Sequence, residues 1–541
     1  MEDLLIVGSG IAGLRAAIEG SKNGKNVLVL TKTHPLRSFS INIQDGVNAS
    51  IENGDSWESH AEDTLSSGQS LNDKKIVSSI CQQAPQVLEE LDKMGLPLNR
   101  DSEGHFKLNK LIGSSSARAA TVDDITGHAL MQVLYEQALK GSVKFLEEWY
   151  ATSLIIEEGQ CKGVIGIEVA TGNLEMFPAK SVVLATGGIR RLYEPSTASF
   201  LCTSDGIAMA YRGGANLSDM EMVEYHPFVI NNGPIAISEL ILARGIELTD
   251  PSGTEIPVAL DENETSLHNL SRTISRQIAN QQDGESHVLL KTGLTSQEVS
   301  ANFFMTNARL GMLLKANLSK DAIPVAPAMN RILGGIATDE LGATSIPGLY
   351  AAGECSNSGF HGAGSLNGNI LLYSVVSGLR AGAAAVAYSN SSSISQPSNN
   401  FLETQKSGFA TLLEMEPKHS VANVRSQLSR IMNDKVGLTR NESDLTEAAT
   451  SIKDLKAQFT EAGISNKSSG YNFEILHHHE VGFLLDTAET IVASATARKE
   501  SRGAHYRSDF TEKDDQEWSK NVIVKHTESG LEVSYKNTSA G

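Results

Sequence analysis

The chain has 541 residues, 40% of them hydrophobic and 20% charged, so it is long enough for two or three globular domains with a large core. Its formal charge of −19 at pH 7 disfavours nucleic acid as a partner, because phosphate binding requires a basic face. We find no run of about 18 apolar residues and therefore expect no membrane insertion. Because the sequence opens directly on a predicted strand, we also expect no signal peptide.

The first predicted unit is a buried strand, a glycine-rich turn and a helix. Leu4–Val7 are apolar and precede Gly8, Gly10 and Gly13 in GxGxxG spacing. Gly8 permits the turn, Gly10 lets the backbone approach a pyrophosphate, and Gly13 lets helix and strand pack closely. The N–H groups and dipole of the helix N-terminus then favour the anionic phosphates.

A second strand ends where the ribose of a bound dinucleotide would lie. Val27–Leu30 are apolar, and Thr31 and Lys32 follow at the position where an acidic residue is usual. This departure argues against a simple NAD site and leaves a flavin dinucleotide open.

The four cysteines bear on compartment and metal content. They are scattered without CxxC spacing, at Cys81, Cys161, Cys202 and Cys355. The pattern predicts reduced thiols in a cytoplasmic setting and no ligand cluster for zinc or iron–sulfur. An iron–sulfur cluster that receives electrons from this chain would therefore belong to another subunit.

Several longer motifs identify a family. The run from Arg37 to Ala49, then DSWESH at 55–60, CQQAP at 81–85, DDITGH at 123–128 and ARKESRGAH at 497–505 follow one another along the chain. Together they resemble the flavoprotein subunits of succinate dehydrogenase and fumarate reductase, to which L-aspartate oxidase is related. The resemblance covers essentially the whole chain.

The resemblance implies an α/β fold, with a Rossmann-like FAD-binding domain interrupted by a capping domain and followed by a helical domain and a tail. The expected ranges are 1–224 and 324–388 for the FAD-binding domain, 225–323 for the capping domain, 402–500 for the helical domain and 501–541 for the tail. It also implies an iron–sulfur partner subunit, and a location that is either cytoplasmic or peripheral to the inner face of a membrane through partner subunits.

The cofactor residues come from segments that match the family. ATGG at 185–188 ends a buried strand, Asp205 is expected to cap a helix near the flavin, and GLYAAGE at 348–354 carries Glu354 to the ribityl chain. The implied FAD contacts are Gly8, Gly10, Ile11, Ala12, Gly13, Thr31, Lys32, Ser38, Gln44, Gly46, Ala185, Thr186, Gly187, Gly188, Asp205, Gly353, Glu354, Ser365 and Asn369.

The substrate residues depart from the family pattern. The histidine of the family's FHP motif is kept as His226, but the catalytic arginine aligns with Leu242, a substrate histidine with Asn330 and a second arginine with Ser365. The candidates that remain for substrate binding and catalysis are His226, Arg244, Arg331 and His361.

Arg244 lies two residues after the position of the lost arginine. In an extended segment it would share a face with that position and enter the cavity. In a helix it would point roughly 200° away, and the hypothesis would fail.

Two further changes lie near the expected flavin ring. Phe39 replaces the histidine to which part of the family attaches FAD covalently, so we expect non-covalent FAD. Asp45 adds a carboxylate that either faces the ring or turns to solvent, and the sequence leaves both open.

The leading interpretation is hydride transfer between flavin and a small, anionic organic substrate, with electrons passed to an iron–sulfur partner. One alternative is true succinate/fumarate or L-aspartate chemistry that uses Arg244 or Arg331. Another is a flavin electron relay without dicarboxylate turnover. The triplet His477, His478 and His479 is interpreted as solvated histidines near a turn, with no metal site.

Overall fold

The computed structural model describes residues 1–197, 200–231, 233–257, 267–280, 286–392 and 395–538. Its central sheet has five parallel strands with Leu4–Val7 in the middle. Val27–Thr31 and then Lys144–Glu147 lie on one side, and Val182–Leu184 and then Leu349–Ala351 on the other. Every residue of these strands except Lys144–Glu147 is buried, which is why their sequences are continuous apolar runs.

Helices cover this sheet, and two of them approach each other unusually closely. Ile11–Lys22 packs against Asn369–Ser391, where Gly378 and Gly382 meet its backbone. A Cβ atom at Gly382 would lie 2.7 Å from the Cα of Ala16. The absence of side chains on these two glycines therefore sets the distance between the helices.

Helix Asn369–Ser391 bears on the expectation of no membrane insertion. Among the described residues it is the one helix whose length and composition meet the criteria for a membrane span, with a hydropathy of 1.6. In the structure 61% of that apolar window is buried inside the protein. The segment is apolar because it is a core helix packed on the central sheet.

A separate four-stranded antiparallel sheet is formed by residues 223–332, which lie along the chain between the segments that build the central sheet. Its strands, in spatial order, are Val223–Ile230, Ile323–Ile332, Val288–Thr292 and Ile246–Thr249. A hydrophobic core of its own joins this sheet to four helices. They are Glu239–Leu242, Leu267–Ala279, Ser296–Asn302 and Phe304–Leu314.

The C-terminal part is helical and ends in a hairpin. Its four long helices are Asn400–Glu414, Val421–Lys435, Glu442–Phe459 and Phe473–Ala497. After a short helix at Asp515–Trp518, the strands Lys520–Thr527 and Gly530–Asn537 pair with each other. They extend a small sheet that also contains Leu217–Ser218, Gly335–Ala337 and Ser356–Asn357.

The remaining elements support these units. Trp149–Glu157, Gln160–Glu168 and Leu174–Pro178 form an antiparallel sheet. Short strands pair at Val47–Asn48, Leu108–Asn109, Ala119–Ala120, His419–Ser420 and Ala462–Gly463. The other helices are Trp57–Ser67, Lys74–Lys93, Thr126–Lys140 and Asp205–Arg212, with 3₁₀ turns at Pro35–Arg37, Phe39–Asn42, Arg190–Leu192 and Gly353–Cys355.

The structure therefore has the predicted α/β class. The numbered domain limits stay predictions. Both limits of the proposed capping domain fall inside strands, Val223–Ile230 and Ile323–Ile332, so the two units share continuous backbone hydrogen bonding at those points.

Candidate functional site

The first cavity lies at the carboxyl ends of the central strands, where open α/β sheets bind their ligands. The chain enters it directly after Leu4–Val7, Val27–Thr31, Val182–Leu184 and Leu349–Ala351. The predicted cofactor residues that line it are Gly8, Gly10, Ile11, Ala12, Thr31, Lys32, Ser38, Ala185, Thr186, Gly187, Asp205, Gly353 and Glu354.

The glycine turn has the geometry that a dinucleotide pyrophosphate requires. Gly8 has a φ of 103°, and a Cβ atom at Gly13 would overlap the Gly8 carbonyl oxygen. A Cβ atom at Gly10 would project toward Ser40 Oγ, 3.2 Å away, at the wall of the cavity. Helix Ile11–Lys22 has no side-chain cap at this end. Its N-terminus is therefore suited to an anionic phosphate.

Asp205 is the first residue of helix Asp205–Arg212 and not its cap, which corrects the prediction. The N-cap residue is Ser204, with a φ of 70° and no capping hydrogen bond from its side chain. The Asp205 carboxylate instead pairs with Lys32 Nζ at 2.7 Å, and Lys32 also pairs with Glu480 at 3.0 Å. The Lys32 ammonium group, directly after strand Val27–Thr31, holds this carboxylate at the cavity wall.

Six predicted cofactor residues do not line the first cavity. Gly13 and Gly188 lie behind it, where Gly13 meets Gly8 and a Cβ atom at Gly188 would overlap the Glu354 carboxylate. Gly46 packs against Ala120, and the Asn369 carboxamide bonds His60 Nε2 at 2.8 Å. The other two residues, Gln44 and Ser365, belong to the second cavity and its supporting wall.

A second cavity of about 350 Å³ adjoins the first. The residues Phe39, Ile43 and Ile370 line both, so the cavities meet at these side chains. The Arg190 guanidinium lies 3.9 Å from the centre of the Phe39 ring and pairs with Glu354 at 2.7 Å. This arrangement is that of a cofactor site opening onto a substrate site.

Arg331 lies in the second cavity, but its charge is compensated. Its Nε is 3.3 Å from a Glu224 carboxylate oxygen, and its Nη1 donates a long hydrogen bond of 3.4 Å to Ser365 Oγ. With the amide of Asn330 oriented so that its oxygen faces the guanidinium, that oxygen accepts from Arg331 Nη2 at 2.9 Å. Ser365 also donates to Glu224 at 2.8 Å, which steadies the pair.

His226 lines the second cavity as a neutral hydrogen-bond donor. Its Nδ1 accepts a bond from the Phe228 N–H at 3.1 Å, which leaves Nε2 as the protonated ring nitrogen. Burial and the nearby Arg331 lower the pKa of His226 to about 3. His361 does not line the cavity; its ring packs against Phe360 and Tyr373, and burial lowers its pKa to about 4.

Asp45 faces the second cavity, so the alternative in which it turns to solvent is wrong. Its carboxylate accepts hydrogen bonds from Ser238 Oγ at 3.2 Å and from the Glu239 N–H at 3.3 Å. Burial raises the pKa of Asp45, although Arg331 opposes the shift. Burial and the neighbouring Asp45 raise the pKa of Glu239 well above its usual range.

Arg244 does not reach the cavity. It is exposed and follows the helix Glu239–Leu242 in a continuing helical turn, where its N–H donates to the Ile241 carbonyl at 3.0 Å. The extended segment required by the hypothesis is absent here, because the Ser238 side chain caps a helix by accepting from the Leu240 N–H. Leu242 is buried in the core of the four-stranded sheet.

The residue that sequence reasoning missed is Arg309. It lies on helix Phe304–Leu314, is half-buried, and lines the second cavity. Within the described ranges it forms no hydrogen bond, ion pair or ring contact. The signal in the sequence was a single arginine in an otherwise mostly apolar helix, FMTNARLGMLL.

The histidine triplet also differs from its prediction. It lies within helix Phe473–Ala497, where His478 stacks on Phe459 at 4.5 Å and His479 lies 6.1 Å from the Tyr150 ring. Only His477 is exposed. In the part of the chain that the structure describes, no group of three metal-ligating side chains is found.

Comparisons with known proteins agree with this geometry. Residues 3–371 match the family described as FAD binding domain, and residues 425–540 the one described as fumarate reductase flavoprotein C-term. A succinate dehydrogenase flavoprotein subunit of Rickettsia bellii is 32% identical over 99% of this chain and 94% of its own length. A fumarate reductase flavoprotein subunit of Mycobacterium tuberculosis is also 32% identical, over 98% and 96%.

Among solved structures, a quinol fumarate reductase chain of E. coli superposes with a TM-score of 0.93, at 27% identity, over 100% of this chain and 97% of its own. Fold and site therefore define an FAD-dependent oxidoreductase. The chain belongs to the family of succinate dehydrogenase and fumarate reductase flavoprotein subunits. When bound, FAD supplies a ring that exchanges a hydride with a substrate.

Proposed function

We propose that this flavoprotein subunit exchanges a hydride with a small organic substrate that carries one carboxylate, and that it passes the electrons to an iron–sulfur subunit. The observation that carries the proposal is Arg309, a guanidinium without a protein partner among the described residues, in the cavity that adjoins the FAD site. An unpaired, half-buried cation is costly unless an anion reaches it.

The charges around the second cavity support one carboxylate rather than two. Arg190 pairs with Glu354 at 2.7 Å, and Arg331 pairs with Glu224 at 3.3 Å. Arg309 is then the remaining cation of the lining. A bidentate guanidinium contact holds one carboxylate, so a dicarboxylate would keep its second charge without a counterion.

Asp45, an acidic residue in the same cavity, also favours a substrate with one carboxylate. Its carboxyl group lies in the cavity and is held there by Ser238 and the Glu239 backbone. A second substrate carboxylate close to it would place a negative charge in a poorly solvated space, where burial already disfavours the charged form of Asp45. A neutral end of the substrate would meet no such repulsion, and His226 Nε2 can donate a hydrogen bond to it.

The iron–sulfur partner is proposed on the resemblance of the tail and of residues 37–60 to family members that work beside such a subunit. The relatives named above are themselves called subunits. The four cysteines of this chain are all buried and unclustered, so they supply no ligand set for a cluster.

The test uses the FAD-loaded protein under anaerobic conditions. Flavin reduction is recorded with panels of monocarboxylic, dicarboxylic and non-carboxylic donors, and reoxidation of reduced flavin with the matching unsaturated acids. We expect a monocarboxylate to react fastest. Arg309→Gln should slow that reaction about tenfold or more, because a charge-assisted hydrogen bond contributes roughly 1.5–3 kcal/mol. The exposed Arg244→Gln is the matched control and should react like the unaltered protein.

Two outcomes contradict the proposal. Full activity in Arg309→Gln would show that Arg309 does not bind the substrate carboxylate. Flavin that no organic donor reduces, but that a redox protein reduces, would instead indicate an electron relay. Native purification tests the partner separately, since recovery of this chain alone, with flavin reoxidised rapidly by oxygen, would contradict an iron–sulfur subunit.

Succinate and fumarate should be poor substrates. Two arginines that the family uses for carboxylate binding are replaced here, and each such loss costs roughly 2–5 kcal/mol. If the two effects add, efficiency falls by at least about a thousandfold. Turnover of succinate at ordinary family rates by the purified complex would overturn this expectation.

A further inference from the structure

A third cavity lies at the edge of the helical part of the protein and shares no lining residue with the two cavities described above. It has a volume of about 380 Å³ and lies between helices Asn400–Glu414 and Phe473–Ala497. It opens to solvent beside Thr404 and Gly408, both exposed. The residues that line it include the histidines His478 and His479, for which the proposed function has no use.

One wall of this cavity is flat and aromatic. The His478 ring stacks on Phe459 with centroids 4.5 Å apart and planes inclined by 28°. Phe409 and the aliphatic side chains Leu174 and Leu412 complete the apolar lining. Such a wall matches the face of a planar ring better than a flexible chain.

The polar end of the cavity is Arg212. Its Nε forms an ion pair with Asp486 at 2.6 Å, but Lys456 binds the same carboxylate at 2.8 Å, so Asp486 compensates the charge of Arg212 only in part. The Arg212 guanidinium lies 4.6 Å from the centre of the Phe483 ring. In the described part of the chain, the terminal nitrogens of Arg212 make no further hydrogen bond. Nη2 points toward the cavity wall, 3.3 Å from where a Cβ atom at Gly482 would lie. Donors are therefore left for a ligand.

The histidines leave Arg212 as the cation of this lining. His478 Nε2 bonds the Ala462 carbonyl at 3.1 Å, and His479 packs toward Tyr150. Burial lowers the pKa of His478 to about 4 and that of His479 to about 3, so both are neutral at pH 7. One cation beside an aromatic wall selects a single negative charge on a flat apolar body.

We propose that the cavity lined by Arg212, His478 and Phe459 is a binding site for a small aromatic monocarboxylate, separate from the substrate site. The carboxylate binds the terminal nitrogens of Arg212, and the ring lies against the Phe459–His478 stack. Entry is from the exposed edge of helix Asn400–Glu414.

The test titrates 2-naphthoate into the FAD-loaded protein and follows binding by calorimetry. Gly408→Leu fills the cavity, because a Cβ atom at Gly408 would have no heavy atom within 4 Å. Ser407→Leu, at an exposed position on the same helix that does not line the cavity, is the matched control. Arg212→Gln removes the anion contact, and Arg309→Gln reports binding in the substrate cavity.

We expect saturable binding at this site in the unaltered protein, in Ser407→Leu and in Arg309→Gln. Arg212→Gln should weaken it about tenfold or more, and Gly408→Leu should abolish it. Octanoate, which has the same charge on a flexible chain, should bind more weakly. Absence of saturable binding, unchanged binding in Gly408→Leu, loss of binding in Arg309→Gln, or tighter binding of octanoate would each overturn the proposal.

Discussion

Changing Gly10 or Gly13 of the first turn to alanine should affect different properties of the protein. In Gly13→Ala the new Cβ atom overlaps the Gly8 carbonyl oxygen, which is backbone and cannot rotate away. In Gly10→Ala the nearest atom is Ser40 Oγ at 3.2 Å, the end of a side chain that can adopt another rotamer. We therefore expect Gly13→Ala to damage the fold and Gly10→Ala to damage only FAD binding.

The magnitudes follow from these contacts. Overpacking of a rigid interior costs about 1–3 kcal/mol and occasionally more, against a total stability of about 5–15 kcal/mol. At Gly10 the fold is spared, but the new methyl group holds the phosphate away from the backbone. Loss of one charge-assisted hydrogen bond, worth roughly 1.5–3 kcal/mol, weakens FAD binding roughly 10- to 150-fold.

The assay separates fold from cofactor by comparing unfolding of the FAD-free proteins with FAD affinity. Gly10→Ala should unfold like the unaltered protein and bind FAD weakly, whereas Gly13→Ala should unfold earlier even without FAD. The exposed helical Gly408→Ala serves as a control, since nothing lies within 4 Å of its new Cβ atom. If the FAD-free forms of Gly10→Ala and Gly13→Ala are equally destabilised, the assignment of separate roles is refuted.

Phe39 at the family's linking position predicts that acid precipitation releases yellow flavin into the supernatant; flavin retained by the denatured protein would contradict this. His60 is fully buried with its pKa lowered to about 4, so its contribution to stability is present above pH 6.5 and lost as the pH falls toward 4. The loss at pH 5 is about 2 kcal/mol, and denaturant titrations at pH 7 and 5 should show a smaller difference in His60→Gln. Glu239 should give the opposite pH dependence. Because its pKa is raised, its contribution to stability falls as the pH rises above about 4.5. Glu239→Gln should therefore gain stability relative to the unaltered protein between pH 5 and 8, and an unchanged difference would show that the carboxyl group is already ionised.

The sequence alone determined the cofactor, the family and the α/β class. These depend on short-range constraints, because the spacing of Gly8, Gly10 and Gly13 specifies the strand–turn–helix unit in which they function. The sequence alone also showed that Leu242 and Ser365 replace two arginines of the family, since both residues lie inside segments that otherwise match it.

Side-chain directions needed the tertiary structure. Asp205 was expected to cap a helix, but Lys32, distant in sequence, pairs with it and holds it at the cavity wall. Arg244 was expected near the substrate, but the capped turn beginning at Ser238 turns it to solvent. Asp45 faces inward because Ser238 and the Glu239 N–H supply its donors.

Arg309 shows most clearly what sequence could not decide. A single arginine in a mostly apolar helix is a local signal, but the sequence does not show whether its side chain meets solvent or enters a cavity. The role proposed for Arg309 rests on three long-range observations. Its helix contacts the FAD-binding part through Thr306, its side chain lines the second cavity, and the other guanidiniums there are paired with Glu354 and Glu224. Only the fold brings these groups together, because each pairing joins residues more than a hundred positions apart.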